Sequence, residues 1–131
     1  MTLKFMLEIG FGSTGGGSSS KGLFDKMETV SQTEATLALQ INKKSSIYKV
    51  SPTSDFAFSV DLSKINIPQN SSCTFYLLID MSGGTYNITW ADNIQWGNTS
   101  PTMTAMVKYL LAFTSFDGGT SWVGNQMYSW E

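Results

Sequence analysis

Asp80, Asp92 and Asp117 are the side chains with the clearest potential for acid–base chemistry, since each lies near a turn signal. Two carboxylates facing each other across roughly 5–10 Å, one with a raised pKa, would make a glycosidase pair. Aspartate is also a common turn residue whose short side chain ties backbone amides, and we adopt that reading. Composition closes the other routes to catalysis. The 131 residues include no histidine, and all eight basic residues are lysine. Ser-His-Asp and Cys-His catalysis and His-ligated metals are therefore excluded. So is a bidentate guanidinium grip on phosphate, carboxylate or guanine. A formal charge of -2 and a pI of about 5.0 disfavour nucleic acid, whose footprint is a dense basic patch. The calcium-loop pattern D-x-[DN]-x-[DN]-G is missing. No catalytic residue, cofactor or metal is expected, and the chain is read as a non-enzyme that works through its surfaces. Cys73 could be a reactive thiol or an intermolecular bridge. It opens an apolar run, which favours a small buried hydrophobe.

The elements that must position these residues read as strands. Leu3, Phe5, Leu7, Ile9 and Phe11 alternate with Thr2, Lys4, Met6, Glu8 and Gly10, the period of a strand with one apolar face. Gly15-Gly16-Gly17-Ser18-Ser19-Ser20 then marks a slack linker. A lone tethered strand cannot bury its own face. Residues 1–11 are thus expected either to anchor on another subunit or assembly, or to fold back as an edge strand of their own domain. The expected organisation is an anchor over 1–11, a Gly/Ser-rich linker over 12–22, a connector over 23–34 and one domain over 35–131. The connector is compatible with a short helix or an extended segment.

From Ala35 onward strand signals alternate with turn chemistry. Leu37, Leu39 and Ile41 alternate up to Asn42-Lys43-Lys44-Ser45-Ser46, and Ile47-Tyr48-Lys49-Val50 stops at Ser51-Pro52. Phe56, Phe58, Val60 and Leu62 alternate, and Thr74 to Asp80 reads as a strand buried on both faces. Ser82-Gly83-Gly84 suggests a hairpin that returns through Tyr86, Ile88 and Trp90. Residues 102–113 fit helical spacing, but Tyr109, Leu111 and Phe113 run straight into Asp117-Gly118-Gly119 without a helix stop, so a strand is preferred. The expectation is an all-β fold, an antiparallel β-sandwich or jelly-roll-like domain. No repeat of 20–50 residues suggests a propeller or solenoid. No apolar run approaches the roughly 20 residues of a membrane span, so membrane insertion is not expected. The N-terminus lacks a signal-peptide core, so synthesis in the cytosol is expected. The sequons at Asn70, Asn87 and Asn98 are read as turn-rich polar sequence.

Ser115-Phe116-Asp117-Gly118-Gly119-Thr120-Ser121-Trp122 resembles the Asp-box of sialidases and related propellers, S-x-D-x-G-x-T-W, with Ser121 in place of Thr. The resemblance implies a structural hairpin built on Ser115, Asp117, Gly119 and Trp122, not a catalytic motif. Trp90, Trp96, Trp122 and Trp130 fall within the last 46 residues of the chain with Tyr86 and Tyr128. Large rings serve core and interface packing first. Trp90 and Trp122 are in phase with apolar strand faces. Trp96 and Asn98, read as a loop, and Trp130 are the candidate glycan contacts.

Thr36-Leu37-Ala38-Leu39-Gln40-Ile41-Asn42, followed by Ile47-Tyr48-Lys49-Val50, resembles the opening of a domain recurrent in tailed-bacteriophage structural proteins, often T-L-A-L-Q-x-N-x-x-Y. Tyr86-Asn87-Ile88-Thr89-Trp90, Ile94-Gln95-Trp96, Pro101-Thr102-Met103 and Tyr109-Leu110-Leu111-Ala112-Phe113 are similar to its later strand-and-ring pattern. The resemblance runs from about Ala35 to Trp130 and carries no catalytic residue. It implies a β-sandwich of a tail fibre, head fibre or capsid decoration protein, frequently a homotrimer, located in the virion. The implied partners are other virion proteins through Leu3, Phe5, Leu7, Ile9 and Phe11. The alternative is a host-receptor or carbohydrate-binding module of a phage adhesion apparatus, with a host surface glycan as partner.

Overall fold

The computed structural model describes residues 26–131. Among them are nine strands and no helix, so the all-β class holds. The strands are β1 (Met27–Val30), β2 (Thr36–Gln40), β3 (Ile47–Val50), β4 (Phe56–Asp61), β5 (Cys73–Asp80), β6 (Ile88–Trp90), β7 (Ile94–Trp96), β8 (Lys108–Ser115) and β9 (Trp122–Trp130). They form a six-stranded sheet in the order β1-β3-β5-β8-β9-β7 and a three-stranded sheet in the order β2-β4-β6.

The pairing departs from the antiparallel expectation. Five of the seven strand pairings among the described residues are parallel; only β5 with β8 and β8 with β9 are antiparallel. The chain crosses between the sheets at every step from β1 to β7. Parallel neighbours need a crossover connection, and in four of the five parallel pairs that crossover is a strand of the opposite sheet, while β7 and β9 are joined through β8 of their own sheet. Alternation in a sequence reports which side chains are buried, not which neighbour a strand chooses, so this winding was not readable from period two.

Two local expectations change for the same reason. The turn after β5 does form, with the Gly84 amide on the Met81 carbonyl at 3.2 Å. The chain that follows does not return along β5, because both edges of β5 are taken by β3 and β8. Ile88–Trp90 instead pairs parallel to β4 in the smaller sheet. The stretch expected as a connector contains β1, the edge strand beside β3.

The sheets meet across one core. Leu37, Leu39, Phe56 and Phe58 of the small sheet join Tyr48, Val50, Phe75, Leu77, Ile79, Leu111, Phe113 and Trp122 of the large one. Phe58 and Phe113 stack across the interface with centroids 5.7 Å apart. Phe113 also meets Phe75, Trp90 and Trp96 at 5.2, 5.9 and 5.7 Å. The other face of the large sheet carries a second cluster, in which Ile47, Leu78, Ala112 and Met127 pack around Tyr76 and Leu110.

Candidate functional site

The Asp117 turn joins β8 to β9. Ser115 Oγ donates to Asp117 Oδ1 at 2.8 Å and accepts the Gly119 amide at 2.8 Å. The Ser121 amide and hydroxyl donate to the two Asp117 oxygens at 2.9 and 2.6 Å. Gly118 and Gly119 hold φ of 72° and 91°, the left-handed region that glycine enters without steric cost. Trp122, the first residue of β9, is 1% exposed in the core. Serine donors, led by the Ser121 hydroxyl, hold the Asp117 carboxyl down to about 2. Ser115, Asp117 and Gly119 are bonded within the turn, and Trp122 packs on Phe75 in the core.

Asp80 behaves similarly. It accepts from the Ser82 amide at 3.0 Å and from the Ser82 hydroxyl, and the hydroxyl bond is the main cause of its lowered pKa. Asp80 and Asp117 stand at opposite ends of the β5–β8 pair, more than about 20 Å apart at the usual strand rise. A glycosidase acid needs a raised pKa and a partner within roughly 10 Å, and this pair has neither. Asp92 lies in the short turn between β6 and β7. Cys73 is half-buried, and burial raises its thiol pKa, which lowers the nucleophilic thiolate fraction. No cluster of His, Cys, Asp and Glu able to hold a metal exists among the described residues.

The aromatic candidates separate. Trp96 is in β7 rather than a loop, half-buried, edge-on to Trp90 at 5.0 Å and to Phe113 at 5.7 Å. Gly124 makes room for it: a Cβ there would come within 2.8 Å of Trp96 Cζ3. Trp96 is therefore a packing residue, which corrects its assignment as an exposed glycan contact. Asn98 is exposed and borders a shallow depression with Pro101 and Gln126. Trp130 is 36% exposed near the end of β9, six residues or about 20 Å along the strand from Gly124, the register partner of Trp96. The structure does not bring the three candidates together.

It brings Trp130 to Tyr128 instead. Their ring centroids are 5.5 Å apart with planes inclined at 37°, and Tyr128 is 56% exposed. The cause is a β-bulge: Leu111 pairs with Gln126 and Leu110 with Tyr128, leaving Met127 as an extra residue. Upstream, Trp122 and Gly124 face the core. The added residue reverses the phase, so Tyr128 and Trp130 come out opposite Leu110 and Lys108 on the outer face. Without it, alternation would aim them inward. Lys108 also pairs in register with Asp80, so the platform has a cation and a carboxylate beside it. Tyr128 was not a sequence candidate because a bulge leaves no reliable mark on composition.

The anchor residues Leu3, Phe5, Leu7, Ile9 and Phe11 lie outside the described residues. No protein-family model matches the chain, and neither a curated protein nor a solved structure matches it.

Proposed function

We propose that this chain is a structural component of a tailed-bacteriophage virion, as head fibre, capsid decoration or tail-fibre component. Residues 1–11 anchor it to a capsid or tail partner, 12–22 span the gap, and the all-β domain projects as part of a homo-oligomer, a trimer being favoured. The observation that carries this reading is the order of parts. An alternating apolar segment and a Gly/Ser stretch precede a domain that fills its core with its own rings from Phe56 to Trp122. The domain's sharpest polar motif is spent inside its own turn, which suits a scaffold that binds rather than catalyses. Deleting residues 1–22 is the test. The shortened protein is expected to fold but to be missing from purified particles; incorporation at the normal copy number defeats the anchor.

A second reading, adhesion to a host surface glycan, is favoured by one observation. Three of the four tryptophans pack among core rings, while Trp130 and its neighbour Tyr128 face outward.

A further inference from the structure

We infer that Tyr128 and Trp130, flanked by Lys108 and Asp80, form a stacking platform for an uncharged pyranose oligosaccharide. The inference rests on the adhesion reading above and names its ligand class.

Four observations carry it. The first is the bulge at Met127, which turns both large rings to the outer face, where alternation would have aimed them to the side that Ser129 now takes opposite Tyr109. Bulges re-aim side chains and recur beside functional sites. The second is geometry. The two rings touch, with centroids 5.5 Å apart and planes inclined at 37°, so together they make one continuous aromatic surface on which a sugar C–H face can stack. The third is the flanking chemistry. Lys108 pairs with Trp130 on one side and Asp80 on the other, giving an ammonium donor and a carboxylate acceptor for sugar hydroxyls. The two carry opposite charges, with Lys49 also acting on Asp80, so a glycan meets both a donor and an acceptor there.

The fourth is size. The neighbouring outer-face residues Tyr76 and Leu110 are each only 4% exposed, so the exposed apolar surface here is concentrated in the two rings. A stable protein partner needs roughly 800 Å² on each side, whereas two rings match a short sugar chain. The platform also lies at the end of the large sheet toward which β1 runs: Trp130 is level with Asp80, just past the level of Val30 and Val50.

The test uses the full chain labelled with ¹⁵N, with its four tryptophan indole signals followed by NMR. Maltohexaose, cellohexaose and chitohexaose are added separately to millimolar concentration. The Trp130 indole is expected to shift saturably with at least one of them. The Trp122 indole, whose Nε1 is buried with no hydrogen-bond partner among the described residues, is expected to stay still. Trp130→Ala and Tyr128→Ala should each weaken binding by roughly 30-fold, the scale of an aromatic hot spot. Both rings are exposed, so the variants should keep the parent's thermal midpoint. Phe116→Ala removes another exposed ring, in the Asp117 turn at the opposite end of β8, and should leave binding unchanged.

Three results would overturn the inference: no saturable shift with any of the sugars, equal loss of binding in Phe116→Ala, or a Trp130 signal that moves with protein concentration alone. The last would mean that a second copy covers the rings. Anchoring is judged separately by incorporation of the truncated chain, so failure of that reading leaves the sugar titration interpretable. Adhesion fails by itself if the chain binds sugar through these rings while Trp130→Ala particles attach to cells normally.

Discussion

The hydroxyl of Ser121 donates to Asp117 Oδ2 at 2.6 Å while the Ser121 amide donates to Oδ1 at 2.9 Å, so one residue satisfies both oxygens of the carboxylate. Ser121 occupies the place where the Asp-box pattern has threonine, and its hydroxyl makes the bond without the extra methyl. The turn therefore depends on charge as well as on shape.

That dependence sets a pH response. In the folded chain the Asp117 carboxyl is held to about 2, against 3.8 when free. A carboxyl with a depressed folded pKa adds stability that is fully present above the free value and lost as pH falls through the folded one. The thermal midpoint is expected to be flat above about pH 5 and to fall between about pH 4 and pH 2. Asp117→Asn should lower the midpoint at neutral pH and shrink this acid-side fall. Asp61 and Asp80 also have lowered pKa values, so part of the fall remains in the variant. Circular dichroism melts of parent and variant across this range check it; parallel curves would show that the carboxylate charge does not hold the turn.

Phe113 is the second lever, since it contacts rings from both sheets: Phe58 and Trp90 on one side, Phe75 and Trp96 on its own. Truncating a buried phenylalanine costs about 3–5 kcal/mol through lost transfer energy and the cavity left behind. Domains of this size are stable by only about 5–15 kcal/mol. Phe113→Ala is therefore expected to be marginal or unfolded at 37 °C, with Phe113→Leu intermediate. Urea midpoints measure both. A loss under about 1 kcal/mol in the alanine variant would mean that the surrounding rings close the gap.

The strands themselves were legible because burial follows period two. Leu37 and Leu39 are buried between exposed Thr36, Ala38 and Gln40, and of the run expected to be buried on both faces, Phe75 to Leu77 is buried throughout because the core and the outer cluster around Tyr76 cover its two faces. The Asp117 turn was legible because its chemistry is local: Ser115, Asp117 and Ser121 bond within the same loop. The partners of each strand were not legible. β1 and β3 are joined through a strand of the other sheet, and no local signal records which neighbour a crossover reaches. Tyr128, beside the expected Trp130, escaped for a related reason, since one extra residue at Met127 inverts the face of everything after it. Trp96 was misplaced because Gly97-Asn98 reads as a turn, while its ring packs against a glycine 28 positions later.

That contact gives the third prediction. A Cβ on Gly124 would lie 2.8 Å from Trp96 Cζ3 and 3.0 Å from Phe113 Cε1, and both rings are held by other aromatic neighbours. Overpacking of this kind costs typically 1–3 kcal/mol. Gly124→Ala should lose stability in that range. Combining it with Trp96→Leu should recover part of the loss, because the clash partner is smaller. The non-additive term of a double-mutant cycle measures the contact; strict additivity would mean that Trp96 is not what Gly124 accommodates.

The fourth prediction concerns Gln32, a buried polar residue that no sequence pattern marked. Its Nε2 donates to the Glu34 carbonyl at 2.6 Å and to Ser54 Oγ at 3.1 Å. Its Oε1 accepts the Thr53 and Ser54 amides at 2.8 and 3.3 Å, and its own carbonyl accepts the Thr53 hydroxyl at 2.8 Å. One side chain thus ties the segment after β1 to the turn between β3 and β4. Gln32→Leu keeps much of the bulk but removes the acceptor of the two amides; Thr53 is exposed and Ser54 half-buried, so water replaces part of the loss and the cost should be about 1 kcal/mol. Gln32→Glu keeps the acceptors and loses the amide donors, so it should fall between parent and leucine variant at neutral pH. Hydrogen exchange at Thr53 and Ser54 separates this local role from general destabilisation. Those two amides should exchange faster in Gln32→Leu while Leu111 and Phe113 in β8 change only by the global amount. Uniform acceleration across the domain would mean that Gln32 acts through bulk packing rather than as a clamp on the turn.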